Sequence, residues 1–381
     1  MKILMGEALP YDCDIHVGSH NYADLFAANG HDVCWLGGTL HFFNLLRALR
    51  GVPAERQALE IWRSGGQEIR ERLQTYHPLT LLPYRKHPIL GSRVALNATL
   101  NCAIPPLRSQ LAKQGFDRPD LLWLSQSHNA PALRRLVTAG KTAYRMSDSY
   151  RHFAQTPDSM IEAEKEIIRS VDVVFATARN IEAEAKEIRS EGVHYLPNGV
   201  DFAHFHRPDA SEPKDFKNLP HPRIVYVGSL SHWFDAELLA HAARAFPNAS
   251  FPVIGKNKTD LSVIENLPNV SLLGSRPYAE LPNYLRHCDV AIIPFQRNEL
   301  TDATNPVKIF EYFAAGLPVV SVRMLEVEFL NSPALLTETP DAFADAIGAA
   351  LALGRDRKEF LDFAYANRWE NRFELIRELS L

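Results

Sequence analysis

Residues 298–320 read NELTDATNPVKIFEYFAAGLPVV; the apolar run VAIIPF (290–295) precedes them, and they run into a second, PVVSV (318–322). Runs of this kind mark strands buried on both faces of a parallel sheet, and the segment between them predicts a helix over about 305–315. Pro306 suits the first turn of that helix, where an amide hydrogen has no partner inside the helix. Strand, helix and strand in this order make a βαβ unit, so the fold class is α/β. The amides that open the helix, at Asn305, Val307 and Lys308, form an anion site at the positive end of the helix dipole, and Lys308 adds a full charge. Glu311 follows Lys308 by three residues and shares its face. A diphosphate fits the helix start, and a ribose fits one turn further on, where a carboxylate accepts from two hydroxyls. The alternative is an ordinary Lys–Glu pair on a helix surface.

The same alternation continues on both sides. RIVYVGSL, SFPVIGK and VSLLGS precede VAIIPF, with helices predicted at about 235–246 and 278–288, so residues 223–356 read as a complete doubly wound unit. An earlier series runs through KILMG (2–6), DVCWLGG (32–38), LLWLS (121–125), KTAYRMS (141–147) and VDVVFAT (171–177), and closes near HYLPNGVD. Helical spacing is clearest over 157–170, where Met160, Ile161, Ile167 and Ile168 share one face and the intervening Glu and Lys residues the other. Between the series, residues 202–222 hold four prolines and no periodicity, the pattern of a linker. At 381 residues the chain exceeds the ~250 at which single cores stop growing. The reading is two Rossmann-like doubly wound domains, 1–201 and 223–356, facing a central cleft, with helices of 357–381 packing across the domain junction.

Composition narrows the function classes. Apolar residues make up 46% and charged residues 23%, as in soluble globular chains. A net charge of −4 offers nothing global to attract nucleic acid or anionic lipid, so any basic surface is local. Cys13, Cys34, Cys102 and Cys288 are scattered without CxxC spacing, against a disulfide framework or a zinc site. The apolar run in MKILMGEALPYD ends after Met5, too short for a secretory signal, and no stretch approaches the ~18 apolar residues of a membrane span. The expected location is cytoplasmic. KILMGEALPYD holds a single glycine, which weakens a dinucleotide dehydrogenase reading.

Gly228 and Ser229 follow the strand RIVYV, at the sheet edge where doubly wound folds bind ligands. A glycine there lets backbone approach a ligand; the alternative is a tight turn. TNPVKIFEYFAAGLPVV, with LPNGVDF, WFDAELLAHAARAFPNASFPVIG and GSRPYAELPNYL before it, resembles the C-terminal domain of bacterial GT-B glycosyltransferases of exopolysaccharide and teichuronic acid assembly. The resemblance covers about 195–322 densely. It implies that Lys308 and Glu311 bind donor phosphate and ribose, that the loop of Gly228 and Ser229 approaches the donor, and that the segment near Arg276 and Tyr278 lies by the base. Retaining members of the wider fold carry two acids eight residues apart. The partner of Glu311 would be residue 303, which is Ala303, with Asp302 and Glu299 out of register. That departure favours inversion and calls for a base in the N-terminal domain.

Asp148, in TAYRMSDSYRHF, stands directly after a predicted strand. The stretch resembles the YRxSD segment of the xanthan-type glucuronosyltransferase family, a membrane-associated inverting group in which the corresponding aspartate is the general base. The alternative is a helix cap. Arg145 would hold the carboxylate ionised or be a solvated charge. His20, in GSHNYADLFAANGH, opens the first helix, where this fold often places a substrate contact; a structural histidine fits equally. Asp12-Cys13-Asp14 spells DxD, the metal–diphosphate motif of a different transferase fold, in the wrong domain for the donor. No metal and no other cofactor is expected, because the helix start and Lys308 neutralise the diphosphate. Residues 80–115 interleave apolar residues with Arg85, Lys86, Arg93, Arg108 and Lys113, which fits peripheral contact with an anionic membrane, or a helix covering its own core with a basic outer face. The implied reaction moves a sugar, from a UDP-sugar as the expected donor, to a hydroxyl of a lipid-linked saccharide or related acceptor. A retaining transferase using GDP-mannose, a GT-B-fold epimerase and a non-catalytic scaffold are the competing readings.

Overall fold

A computed structural model describes residues 1–13, 16–81, 83–153 and 155–381. Two units emerge, Met1–Pro197 with Phe373–Leu381, and Asn198–Arg372.

The first unit contains β1 (Lys2–Gly6), β2 (Asp32–Leu36), β3 (Gln67–Arg70), β4 (Leu73–Tyr76), β5 (Leu79–Thr80), β6 (Ala103–Ile104), β7 (Leu121–Ser125), β8 (Lys141–Met146), β9 (Val173–Ala176) and β10 (Val193–Tyr195). Eight of them form one sheet in the order β10-β9-β8-β7-β1-β2-β4-β3, and β5 pairs with β6 separately. All pairings in the large sheet are parallel except β3 with β4. Helices cover both faces of a parallel sheet, so its central strands bury every side chain, as LLWLS does in β7. Trp35, Trp123, Tyr22, Phe26 and Phe175 fill the core. The chain builds outward from β1 in one direction, then crosses to β7 and builds in the other. This reversal puts the topological switch point between β1 and β7, and in such folds the crevice beyond the carboxyl ends there takes ligand.

The second unit contains β11 (Ile224–Val227), β12 (Phe251–Ile254), β13 (Val270–Gly274), β14 (Val290–Ile293), β15 (Val319–Val322) and β16 (Leu335–Thr337). They form one parallel sheet in the order β13-β12-β11-β14-β15-β16, with the switch point between β11 and β14. Ile292, Ile309, Phe310, Phe313 and Val320 belong to its core. The decisive helix runs Val307–Ala314, and Pro306 sits one position earlier than expected, as its N-cap.

Most expected elements are present, with strands trimmed by one to three residues at their ends. Five strands had no expectation: β3, β4, β5, β6 and β16 are short, and β3 is a polar edge strand without alternation. The helix expected over 278–288 is instead a 3-10 turn, Tyr278–Glu280, and a helix, Leu281–Arg286, whose first turn takes Pro282. Helix Asp158–Ser170 buries Met160, Ile167 and Ile168 as expected, but it also buries Glu164, which had been read onto the polar face. Residues 202–222 hold a short helix, Phe202–Phe205, and a 3-10 turn, Lys214–Phe216, with Phe205 and Phe216 buried in the second unit's core. Arg223, itself buried, ties the stretch down by donating to Glu212 at 2.7 Å and to the carbonyl of Phe216 at 2.9 Å. Helices Lys358–Ala366 and Trp369–Ser380 end the chain.

Candidate active site

In the second unit, Gly228 leaves β11 with a φ of +147°. A Cβ there would lie 2.9 Å from Nζ of Lys308 and 3.0 Å from its Cε, so the glycine makes room for the lysine. Gly255, at the end of β12, fits against Gly228, whose carbonyl oxygen would meet an added Cβ at 1.9 Å. Ser229 is half-buried, and its carbonyl accepts from the Tyr226 hydroxyl at 3.0 Å and from the Trp233 indole at 3.2 Å, which fixes the loop.

Lys308 is half-buried, with Nζ 4.4 Å from the centre of the Phe295 ring and 5.1 Å from that of Tyr226. Aromatic faces hold an ammonium without hydrating it. Burial pushes its pKa down to about 8, against the pull of nearby Glu311. Burial pushes Glu311 up to about 7, with Lys308 opposing. Both charges are held short of solvent, as suits a site whose polar ligand is to replace the water. The charge of Glu311 also reaches Tyr278, whose phenol is pushed up chiefly by burial. The Tyr278 ring lies parallel to that of His204, with centres 4.4 Å apart.

Asn305 holds the helix start in place. Its Oδ1 accepts from the amide of Asn198 at 3.1 Å, its carbonyl accepts from Asn198 Nδ2 at 2.7 Å, and its Nδ2 donates to Glu326 at 2.8 Å. No side chain caps the helix that follows, and Val307 is half-buried at its first position. The structure therefore joins Gly228, Ser229, Asn305, Val307, Lys308, Glu311 and Tyr278 around β11 and one helix. Arg276 is differently engaged: it pairs with Asp215 at 2.7 Å and donates to the Tyr284 hydroxyl at 2.7 Å.

In the first unit, Asp148 lies just beyond β8 and lines a pocket of about 450 Å³ with Tyr84, Lys86, Gln126, His128 and Tyr150. Burial raises its pKa, while the charge of Arg145 and the Ser147 hydroxyl lower it. Arg145 is itself buried, 5.7 Å over the Tyr22 ring. Its charge also reaches Glu7, which follows β1, is buried, accepts from Ser125 at 2.7 Å and is pushed up to about 7 by burial. Burial lowers His128 to about 4, so it is a neutral imidazole at physiological pH; its Nε2 sits 3.2 Å from the Thr39 hydroxyl.

His20 is 1% exposed and does not line this pocket. Its ring packs among Tyr11, His16 and Trp35, and its Nδ1 accepts from the amide of Val17 at 3.1 Å. Asp12 accepts from Gln57, and Asp14 lies outside the described residues. Among the described residues, no group of three or more His, Cys, Asp or Glu is arranged to hold a metal. Gln126, His128 and Glu7 were missed by the sequence reading, although each stands just after a strand, the position that singled out Gly228 and Asp148. The contacts of Tyr226, Phe295 and His204 had no local signal.

The family of glycosyl transferases group 1 matches residues 221–352. Among curated proteins, the putative teichuronic acid biosynthesis glycosyltransferase TuaH of Bacillus subtilis is 28% identical over 182 residues, which spans 45% of this chain and 45% of that relative. The UDP-glucuronate:glycolipid 2-beta-glucuronosyltransferase of Xanthomonas campestris pv. campestris is 26% identical over 91% of this chain and 85% of its own. Among solved structures, sucrose-phosphate synthase of Thermosynechococcus elongatus aligns with a TM-score of 0.68 at 19% identity, over 100% of this chain and 99% of that one. HepE of Anabaena, in complex with UDP and glucose, aligns with a TM-score of 0.66 at 16% identity, over 99% and 98%. Fold and matches place the chain in the glycosyltransferase class, with the GT-B architecture. Within that class, its residues 221–352 are a glycosyl transferases group 1 domain.

Proposed function

We propose that the chain transfers a sugar from a UDP-sugar to a hydroxyl of a lipid-linked saccharide or related acceptor in cell-surface polysaccharide synthesis, with inversion and without a metal. The observation that carries this reading is Lys308: an ammonium sequestered against Gly228 at an uncapped helix start, three residues from Glu311. Such a site suits a diphosphate joined to a ribose. The names of the relatives add UDP-glucuronate, a glycolipid and teichuronic acid, and one structural neighbour holds UDP and glucose.

Chemically, an acceptor oxygen attacks the anomeric carbon, the bond to the diphosphate breaks, and the acceptor proton must leave. Asp148 takes that proton; burial raises its basicity while Arg145 keeps it ionisable. Lys308 and the helix amides stabilise the charge that develops on the departing UDP. Inversion draws support from Ala303, eight residues before Glu311, and from Asp302, whose Oδ1 accepts from the amide of Leu325 at 3.0 Å.

A surface of the first unit fits peripheral contact with an anionic membrane. Helix Phe42–Leu49 exposes Phe42, Phe43 and Leu49, and Arg85 lies 5.1 Å over the Phe43 ring. Leu81, Ile89 and Val94 are also exposed, whereas helix Leu107–Gln114 turns Leu107 and Leu111 into the core and keeps Arg108 and Lys113 outside. No helix among the described residues is long and apolar enough to cross a membrane.

The test is product analysis. The chain is incubated with UDP-glucose or UDP-glucuronate and a bacterial lipid extract, with EDTA throughout, and the new glycosidic linkage is read by NMR. A β-linked product from an α-linked donor, absent with Asp148→Asn, is expected. An α-linked product or an absolute need for Mg²⁺ refutes the mechanism, and an isomerised nucleotide-sugar formed without acceptor points to an epimerase.

A further inference from the structure

Asp148 sits on the turn that leaves β8, and a turn by itself does not hold a carboxylate to the tolerance that proton transfer requires. The first residue past the adjacent strand β7 is Gln126, and its side chain grips that turn from both sides. Oε1 accepts from the amide of Asp148 at 2.8 Å, from the amide of Ser147 at 3.0 Å and from the Ser147 hydroxyl at 3.1 Å. Nε2 donates to the carbonyl of Asp148 at 2.7 Å. One side-chain amide thus binds both backbone polar groups of Asp148.

The grip has one orientation, and Glu164 sets it. Glu164 is buried, and its Oε1 accepts from Gln126 Nε2 at 2.8 Å and from the Tyr144 hydroxyl at 2.6 Å. A flipped Gln126 amide would turn its oxygen toward this carboxyl oxygen and the carbonyl of Asp148, and its NH₂ toward two backbone amides. The three contacts to the backbone of Ser147 and Asp148 would then all be repulsive. Two further bonds flank the turn, Thr177 Oγ1 donating to the carbonyl of Ser147 at 2.9 Å and Ser149 Oγ donating to Glu184 at 2.8 Å, but neither reaches Asp148 itself.

We propose that Gln126, oriented by the buried Glu164, is the positioning residue for the Asp148 carboxylate. The role rests on the reading of Asp148 as the base. It acts through the backbone of Asp148, whose amide and carbonyl it binds.

The test uses the full chain with Gln126→Met, which keeps the volume and removes every hydrogen bond, and Gln126→Glu, which keeps the acceptor and replaces the donor nitrogen with oxygen. Two readouts are taken: hydrogen exchange of the Ser147 and Asp148 amides, and UDP release from UDP-glucuronate with octyl β-glucoside or water as acceptor. Expected are exchange about tenfold faster at those amides in Gln126→Met, the scale of one lost hydrogen bond, and a kcat lower by roughly 10²-fold in both variants, the scale of a misplaced catalytic group. UDP affinity should stay as in the wild type, which shows that the variants are folded. Wild-type exchange and wild-type kcat in Gln126→Met overturn the proposal. Wild-type UDP release by Asp148→Asn overturns the base reading instead, and the exchange data then report separately on whether Gln126 holds the turn.

Discussion

Lys308 should make donor binding fall off in mild alkali. Its pKa in the free chain is pushed down to about 8, because the ammonium is packed against Phe295 and Tyr226 with little water. A bound diphosphate supplies the missing counter-charge, and the pKa returns toward the ordinary ~10.4. Binding then draws in a proton wherever the free lysine has lost it. The dissociation constant scales with 1 + 10^(pH − 8), so affinity should weaken about tenfold between roughly pH 7 and 9, or ~1.4 kcal/mol, with uptake of about half a proton near pH 8. Glu311, raised to about 7, acts in the opposite sense: below that pH it is protonated and accepts poorly from a ribose. Affinity should therefore peak between about 7 and 8. Titration calorimetry with UDP-glucose, in buffers of unlike ionisation enthalpy, measures both affinity and proton uptake. Lys308→Met should bind more weakly at neutral pH and lose the alkaline dependence. Equal affinity at both ends of the range, or the same decline in Lys308→Met, would refute the argument.

Glu311→Ala should weaken UDP binding by roughly 1.5–3 kcal/mol, the usual worth of hydrogen bonds to a charged group, measured by the same calorimetry; unchanged affinity would remove it from the ribose site. On anionic vesicles the wild type should float and a variant with Phe42, Phe43 and Leu49 changed to Ser should not, while high salt releases the wild type; equal flotation of both removes this helix from the membrane contact. Glu7 is buried and raised to about 7, so the folded chain keeps a proton that the unfolded chain releases near the ordinary carboxyl pKa. Its contribution to stability is lost as pH rises toward 7, and Glu7→Gln should be stabilised relative to wild type by up to about 3 kcal/mol at pH 8 and by little at pH 5. Denaturant melts at the two pH values check this, and a difference that does not grow with pH would sink it.

Short-range pattern made the architecture legible. KILMG, LLWLS, VAIIPF and PVVSV declare buried parallel strands because burial on both faces demands unbroken apolar runs, and both series carry that demand in adjacent residues. Asn305, Lys308 and Glu311 were visible for the same reason, since helical spacing places them on one short element. Edge strand β3 was not, because a strand paired on one side needs no apolar pattern. The polar interior escaped as well. Ser125 meets Glu7 across 118 residues, Gln126 meets Glu164 across 38, and Asn198 meets Asn305 across 107, separations over which neighbouring residues carry no information. Sequence alone determined the α/β class, the strands that build it and the positions just beyond those strands where chemistry belongs. Only the tertiary structure decided which of those positions are dry enough to move a pKa and which side chain grips Asp148, because desolvation and hydrogen-bond geometry belong to the assembled three-dimensional surroundings of a residue and to no stretch of chain.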